Sequence, residues 1–168
     1  MPAPHPARPW HTLALALLLG GLSPAAHAQA PAGYTRAVEL IGAGKYQPAQ
    51  VLLDSLLEHN TLPADLIDNG HYWLGEALYG QKAWLDAMLA FERCLAEPAA
   101  NKAEAAQLKI GLCWYNEGRP ERACREAQRL LQRWPRGEHT AQARRLVQLA
   151  CGAATPAAGT ETTAGGGH

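Results

Sequence analysis

The stretch "HYWLGEALYG", residues 71–80, places Tyr72, Trp73, Leu74, Leu78 and Tyr79 around a glycine, Gly75. The large residues recur at helical spacing, so this is one amphipathic helix and not a strand. A glycine inside a helix costs about 1 kcal/mol relative to alanine. Its presence in the middle of an apolar face therefore points to close packing by a second element. The same arrangement returns further along. Gly75-Glu76-Ala77 precedes Gly111-Leu112-Cys113 by 36 residues, and Ala87 precedes Ala123 by 36. Ala49 precedes Ala87, and Tyr46 precedes Trp84, by 38. The unit is a helix, a tight turn ("AGKYQP", "GQKAW", "EGRPE"), a second helix and a loop holding Pro63, Pro98 or Pro135. One such unit cannot bury its apolar face alone, so units must stack.

Seven segments between Gly33 and Cys151 carry the helical period, and none shows the alternation of a half-buried strand. The expectation is an all-α chain of about three stacked repeat units within residues 33–151, followed by a final helix near Glu138–Ala150. Gly75 and Gly111 should mark where the first helix of a unit crosses the second. Ala49, Ala87 and Ala123 supply the small facing residues. Leu78 with Phe91, and Trp114 with Leu130, fill the space beside them.

The termini read differently. "MPAPHPARPWHT", "LALALLLGGL" and "SPAAHAQ" give a basic start, a short apolar run and a small-residue exit. Together they mark a secretory signal peptide over 1–28, cleaved after Ala28, and the apolar run is too short to span a bilayer. Residues 29–32 form a short linker. Residues 152–168, rich in Gly, Ala and Thr, hold too few large apolar side chains to order themselves and are read as a disordered tail. Export makes the periplasm the expected compartment and disulfides permissible.

Four cysteines, Cys94, Cys113, Cys124 and Cys151, allow three pairings. No C-x-x-C pair is present, which argues against zinc. Cys124 lies early in the second helix of unit three, and Cys151 ends the antiparallel capping helix, so these two are expected to bridge. Cys94 and Cys113 are the natural second pair.

The chain balances 15 basic against 15 acidic residues, which excludes nucleic-acid or membrane-surface binding driven by net charge. G-x-S-x-G, H-E-x-x-H and phosphate-binding glycine loops are missing from the sequence. His59, His71, His139 and His168 show no ligand spacing, and His71 reads as a packing residue. Asp65 and Asp68 read as a loop pair capping the next helix. No enzyme, metal or cofactor is expected.

Leu74, Gly75, Leu78, Ala87 and Phe91, and again Ile110, Gly111, Trp114, Ala123 and Pro135, resemble the signature of tetratricopeptide repeats, which implies a right-handed αα-superhelix of about three units with the final helix as its lone cap. The first unit, with Tyr46, Ala49 and Leu53, has Ala37 in place of the glycine. More narrowly, "NGHYWLGEALYGQKAWLDAMLAFERCL" and "KIGLCWYNEGRPERACREAQRLLQRWPRGEHTAQARRL" are similar to the C-terminal domain of the Tol-Pal cell division coordinator family, over about Asp68–Leu146. That resemblance implies non-catalytic coupling of envelope constriction to peptidoglycan synthesis, with Tol-Pal or synthase proteins as partners. The family's N-terminal trimerising coiled coil has no counterpart here, and the four cysteines lie outside its pattern.

In such repeats the first helix of each unit lines the hollow of the superhelix. Helical stepping puts Tyr34, Val38 and Ile41, then Tyr72, Glu76 and Tyr79, then Leu108, Leu112, Tyr115 and Asn116 there. This groove of tyrosines and aliphatics suits protein recognition. Self-association and ordinary packing are the alternatives. It lacks the Lys/Arg/Asn set that clamps a C-terminal carboxylate. Arg119, Arg122, Arg125, Arg129, Arg133 and Arg136 form a separate stripe, either a solvated outer face or a contact for an anionic partner. A structural subunit of an outer-membrane assembly or secretion complex is the competing role.

Overall fold

A computed structural model describes residues 30–153; the signal peptide and most of the C-terminal tail read from the sequence lie outside them. The described residues form α1 (Ala32–Gly42), α2 (Tyr46–Glu58), α3 (Ile67–Gly80), α4 (Trp84–Ala96), α5 (Ala103–Asn116), α6 (Pro120–Arg133) and α7 (Thr140–Ala153). A 3₁₀ turn, Ala64–Leu66, leads into α3, and no strand occurs among the described residues. The helices pair as α1/α2, α3/α4 and α5/α6, and each pair packs on the next, with α7 laid against α5 and α6. The three units are those expected from the 36- and 38-residue spacings, and α7 lies where the resemblance implied a capping helix.

The turn inside each unit explains the pairing. Gly44, Lys82 and Gly118 all adopt positive φ, at 71°, 62° and 71°. At each turn the left-handed residue donates its N–H three residues back, and the following N–H reaches five residues back. These bonds are Gly44→Ile41 and Lys45→Leu40, Lys82→Tyr79 and Ala83→Leu78, Gly118→Tyr115 and Arg119→Trp114, all 2.8–3.1 Å. This is the Schellman closure. It satisfies the last carbonyls of the first helix and turns the chain straight into the second. Lysine at the second of these positions carries the Cβ penalty of the left-handed region that glycine avoids. Lys82→Gly is therefore expected to raise stability by about 0.5–1 kcal/mol, measured as an upward shift of the urea midpoint with unchanged slope.

The core is a row of clusters along the junctions. Ala37, Leu53, Leu74 and Ala90, with a second cluster of Leu40, Ala49 and Ala77, fill the first junction. Ala87, Met88, Phe91, Cys94, Ala106, Ile110 and Cys113 fill the second. Leu108, Ala123, Ala127, Leu130, Ala143, Leu146 and Ala150 fill the third. Leu78 packs against the Phe91 cluster and Trp114 against the Leu130 cluster, as their spacing predicts.

Gly75 lies under the fully buried Phe91 ring, where an added Cβ would meet ring atoms at 2.5–2.8 Å. Gly111 faces Leu146 of α7 most closely, with the Ala123 carbonyl further off. The second glycine thus seats the cap more than it crosses its own partner helix. Gly80, at the end of the same decapeptide, gives way to the Tyr46 ring of α2.

Stacking is also held by two carboxylates at one repeat position. Asp68, buried in the first turn of α3, accepts the Asn101 backbone N–H at 2.9 Å. Glu104, 36 residues on and in the first turn of α5, accepts the N–H groups of Glu138 (3.1 Å) and His139 (2.7 Å). Each acid anchors the loop that opens the next unit. Asp68 is therefore not a loop cap for its own helix.

Candidate functional site

Cys124 and Cys151 are bonded, with Cα atoms 5.2 Å apart, and tie the start of α6 to the end of α7. The second expected pair does not form: Cys94 and Cys113 are free thiols, both fully buried in the Phe91 cluster. The reason lies in the axial rise. On these antiparallel helices Cys94 lies two residues before the end of α4, close to the loop that joins them, and Cys113 lies ten residues past the start of α5, far from it. At about 1.5 Å per residue the two are offset by about 12 Å, beyond the roughly 7 Å a disulfide spans. Burial pushes each thiol up to about 12 from an ordinary 9.0. Both should resist a thiol-specific reagent in the folded protein at neutral pH, and two should react after unfolding. Because the folded thiols hold their protons where unfolded ones release them, their contribution to stability is complete below pH 9 and lost as pH rises from 9 toward 12. A denaturation series across that range should show the decline.

The face shared by α3 and α5 carries the clearest arrangement of polar and aromatic side chains. Lys109 Nζ lies 2.7 and 2.8 Å from the two oxygens of Glu76 and 4.8 Å from the Tyr79 ring centroid. Asn116 Nδ2 donates to the Tyr79 hydroxyl at 2.8 Å. Lys102 Nζ stands 5.9 Å from the Tyr72 ring centroid, at the edge of cation–π range. Lys102, Lys109 and Asn116, spaced by seven residues, thus lie along Tyr72, Glu76 and Tyr79. Tyr72 also packs edge-on to Trp73, centroids 5.4 Å apart, and against Phe91 at 5.6 Å. Tyr79 packs edge-on to Trp84 at 4.8 Å. Burial and then the Glu76 charge push the Tyr72 phenol well above its ordinary value. Burial raises Tyr79 as well, against the opposing pull of the Asn116 bond. Both hydroxyls stay protonated at neutral pH, so the face offers phenol donors and not phenolates.

The sequence-derived groove residues divide by exposure. Tyr34 is half-buried against Trp73, and burial raises its pKa; Val38 is also half-buried, and Ile41 packs on two core clusters. Leu108 is 6% exposed and belongs to the α5/α6/α7 core, so it is a packing residue and not a groove residue. Leu112 lies half-buried against the same cluster. Tyr115 and Asn116 are exposed. There is a single geometric cause. Tyr34/Val38/Ile41, Tyr72/Glu76/Tyr79 and Leu108/Leu112/Tyr115 are the forward stripes of successive first helices, and each stripe meets the following unit. The receiving stripe of α5, with Lys102 and Lys109, was missed; its signal was the seven-residue spacing 102, 109, 116.

Beside Tyr72 the face opens into a pocket of about 240 Å³. Tyr72 and Trp73 form one wall, Lys102 and Glu104 another, and Glu138 and His139 close it from the approach to α7. His71, on the next position of α3, points away. Burial and then Arg93 lower its pKa, which suits the packing role read from the sequence. No group of three or more His, Cys, Asp or Glu among the described residues could hold a metal ion. No described helix is long and apolar enough to cross a membrane. The arginines of α6 are exposed. Arg122 stacks on Trp114 (4.4 Å), Arg133 on Trp134 (4.5 Å), and Arg129 pairs with Glu126 at 2.7 Å.

Residues 105–136, most of α5 and all of α6, match the family model described as tetratricopeptide repeat. The crystal structure of a TPR-like protein from Chlorobium tepidum TLS superposes with a TM-score of 0.53 at 19% identity, covering 71% of this chain and 88% of that one. The fold is tetratricopeptide-like. No curated protein matches the chain. The tetratricopeptide-like fold accounts for the repeat spacing, the glycine seams and the single closing helix.

Proposed function

We propose that the chain is a non-catalytic protein-interaction scaffold that takes a partner segment along the α3/α5 face, with the Tyr72–Trp73 pocket as its anchor point. The observation carrying this reading is that pocket: an aromatic wall and a lysine, opening from a face whose side chains are already held by neighbours. Rotamers fixed before binding lower the entropy lost when a partner docks. The setting proposed is the periplasm. The signal-peptide pattern supports it, as does the Cys124–Cys151 bond, which suits an oxidising compartment. The partners proposed are Tol-Pal or peptidoglycan-synthesis proteins, by resemblance of the sequence to the cell division coordinators.

A structural role in an outer-membrane assembly or secretion complex has its own support. Val51, Leu85 and Leu89 stand exposed on the second helices of units one and two, away from the pocket. Affinity capture from the native envelope separates the two readings. Tyr72 packs on Phe91, so the substitutions belong at Lys102 and Asn116, on the α5 side of the face. Lys102→Glu/Asn116→Ala should cut recovery of the captured partner by at least about tenfold while leaving the helical circular-dichroism signal unchanged. Full recovery with the folded double variant would place binding on another surface.

A further inference from the structure

The second helices of the three units present their outer faces in one register, and the character of that register changes along the row. Val51, Leu89 and Arg125 occupy equivalent positions, 38 and 36 residues apart. Val51 is 59% and Leu89 54% exposed, and Leu85, one turn before Leu89, is 51% exposed. Exposed Asp86 and Glu92 flank these leucines on α4, and exposed Arg93 follows Leu89 by one turn. On α6 the same outer face is Arg122, Arg125, Arg129 and Arg133, all exposed. The division extends through the chain: residues 29–100 hold four basic and nine acidic side chains, and residues 101–151 ten basic and five acidic.

We propose that this outer surface joins two copies of the chain, with α4 of one copy seated on α6 of the other. A two-fold axis between the two helices makes both contacts at once, because each copy supplies one face of leucines with two carboxylates and the single cation Arg93, and one face of four arginines. The alkyl stems of Arg125 and Arg129 cover Leu85 and Leu89, and their guanidinium groups reach Asp86 and Glu92 of the opposite copy. Two copies docked like-on-like would set arginine against arginine, so the charge pattern also selects the orientation. The pocket beside Tyr72 lies on the first helices and stays open in this pair, so the dimer would present two copies of it.

Sedimentation equilibrium of the full chain tests this. The wild-type protein should dimerise and weaken as salt rises from about 0.05 to 0.5 M. Asp86→Arg/Glu92→Arg and Arg125→Glu/Arg129→Glu should each weaken self-association by at least about tenfold, with unchanged helicity. An equimolar mixture of the two variants should recover the dimer, since both of its contacts are again complementary. A wild-type monomer at every soluble concentration would overturn the proposal, even if it bound an acidic peptide through α6. A dimer indifferent to both charge reversals, or two reversed variants that do not pair with each other, would overturn it as well.

Discussion

Phe91→Ala should lose about 3–5 kcal/mol of stability, the largest effect expected from any single side chain here. The ring is fully buried, sits over Gly75, and belongs to the cluster that joins α3, α4 and α5. Its removal leaves a cavity at the central junction, and a stacked array depends on each of its junctions. The partner test is Gly75→Ala. Helix propensity alone favours alanine by about 1 kcal/mol. The new methyl would meet the Phe91 ring at 2.5–2.8 Å, and overpacking a well-filled site costs about 1–3 kcal/mol. A net loss is therefore expected, and Gly75→Ala/Phe91→Leu should be more stable than additivity of the two changes predicts. Urea denaturation of the four proteins measures the coupling. A stabilised Gly75→Ala would mean that the seam is not where the ring rests.

Removing the Cys124–Cys151 bond, as Cys124→Ala/Cys151→Ala, should cost about 3.5 kcal/mol by loop-closure entropy for its 27-residue separation. The loss should be local. α7 is the last described helix and packs on α5 and α6, so its amides should exchange first. Hydrogen exchange resolved by helix should show protection falling in α7 while α3 and α4 keep theirs. Uniform loss along the array would indicate that the bond supports more than the cap.

The sequence carried the units because the positions that set them recur. The glycine seams, the small residues of the facing helices and the three turns each repeat at 36 or 38 residues, and a repeat can be read without knowing where any side chain points. The capping bond was readable for a similar reason: two antiparallel helix ends must meet. What failed needed a count along an axis or around it. Cys94 and Cys113 share a cluster and are still separated by about two turns of rise, a distance invisible to adjacency alone. Leu108 was placed on the open face because it is the repeat equivalent of Tyr72. Both are forward stripes, but the unit ahead of Leu108 is the cap, which covers it. Asp68 and Glu104 lie 36 residues apart, so their common role was present in the sequence. It went unread because a lone acid near a helix start resembles an ordinary cap.

The central claim is that a protein partner docks on the α3/α5 face beside Tyr72. Site-specific photo-crosslinking in the native host tests it most directly, with the reactive residue placed at Lys102 in the pocket beside Tyr72 or at Gln148 on the exposed side of α7. The account predicts an adduct heavier than the chain, containing a second protein, from position 102 and not from position 148. No adduct at 102, or equal adducts from both positions, would contradict it.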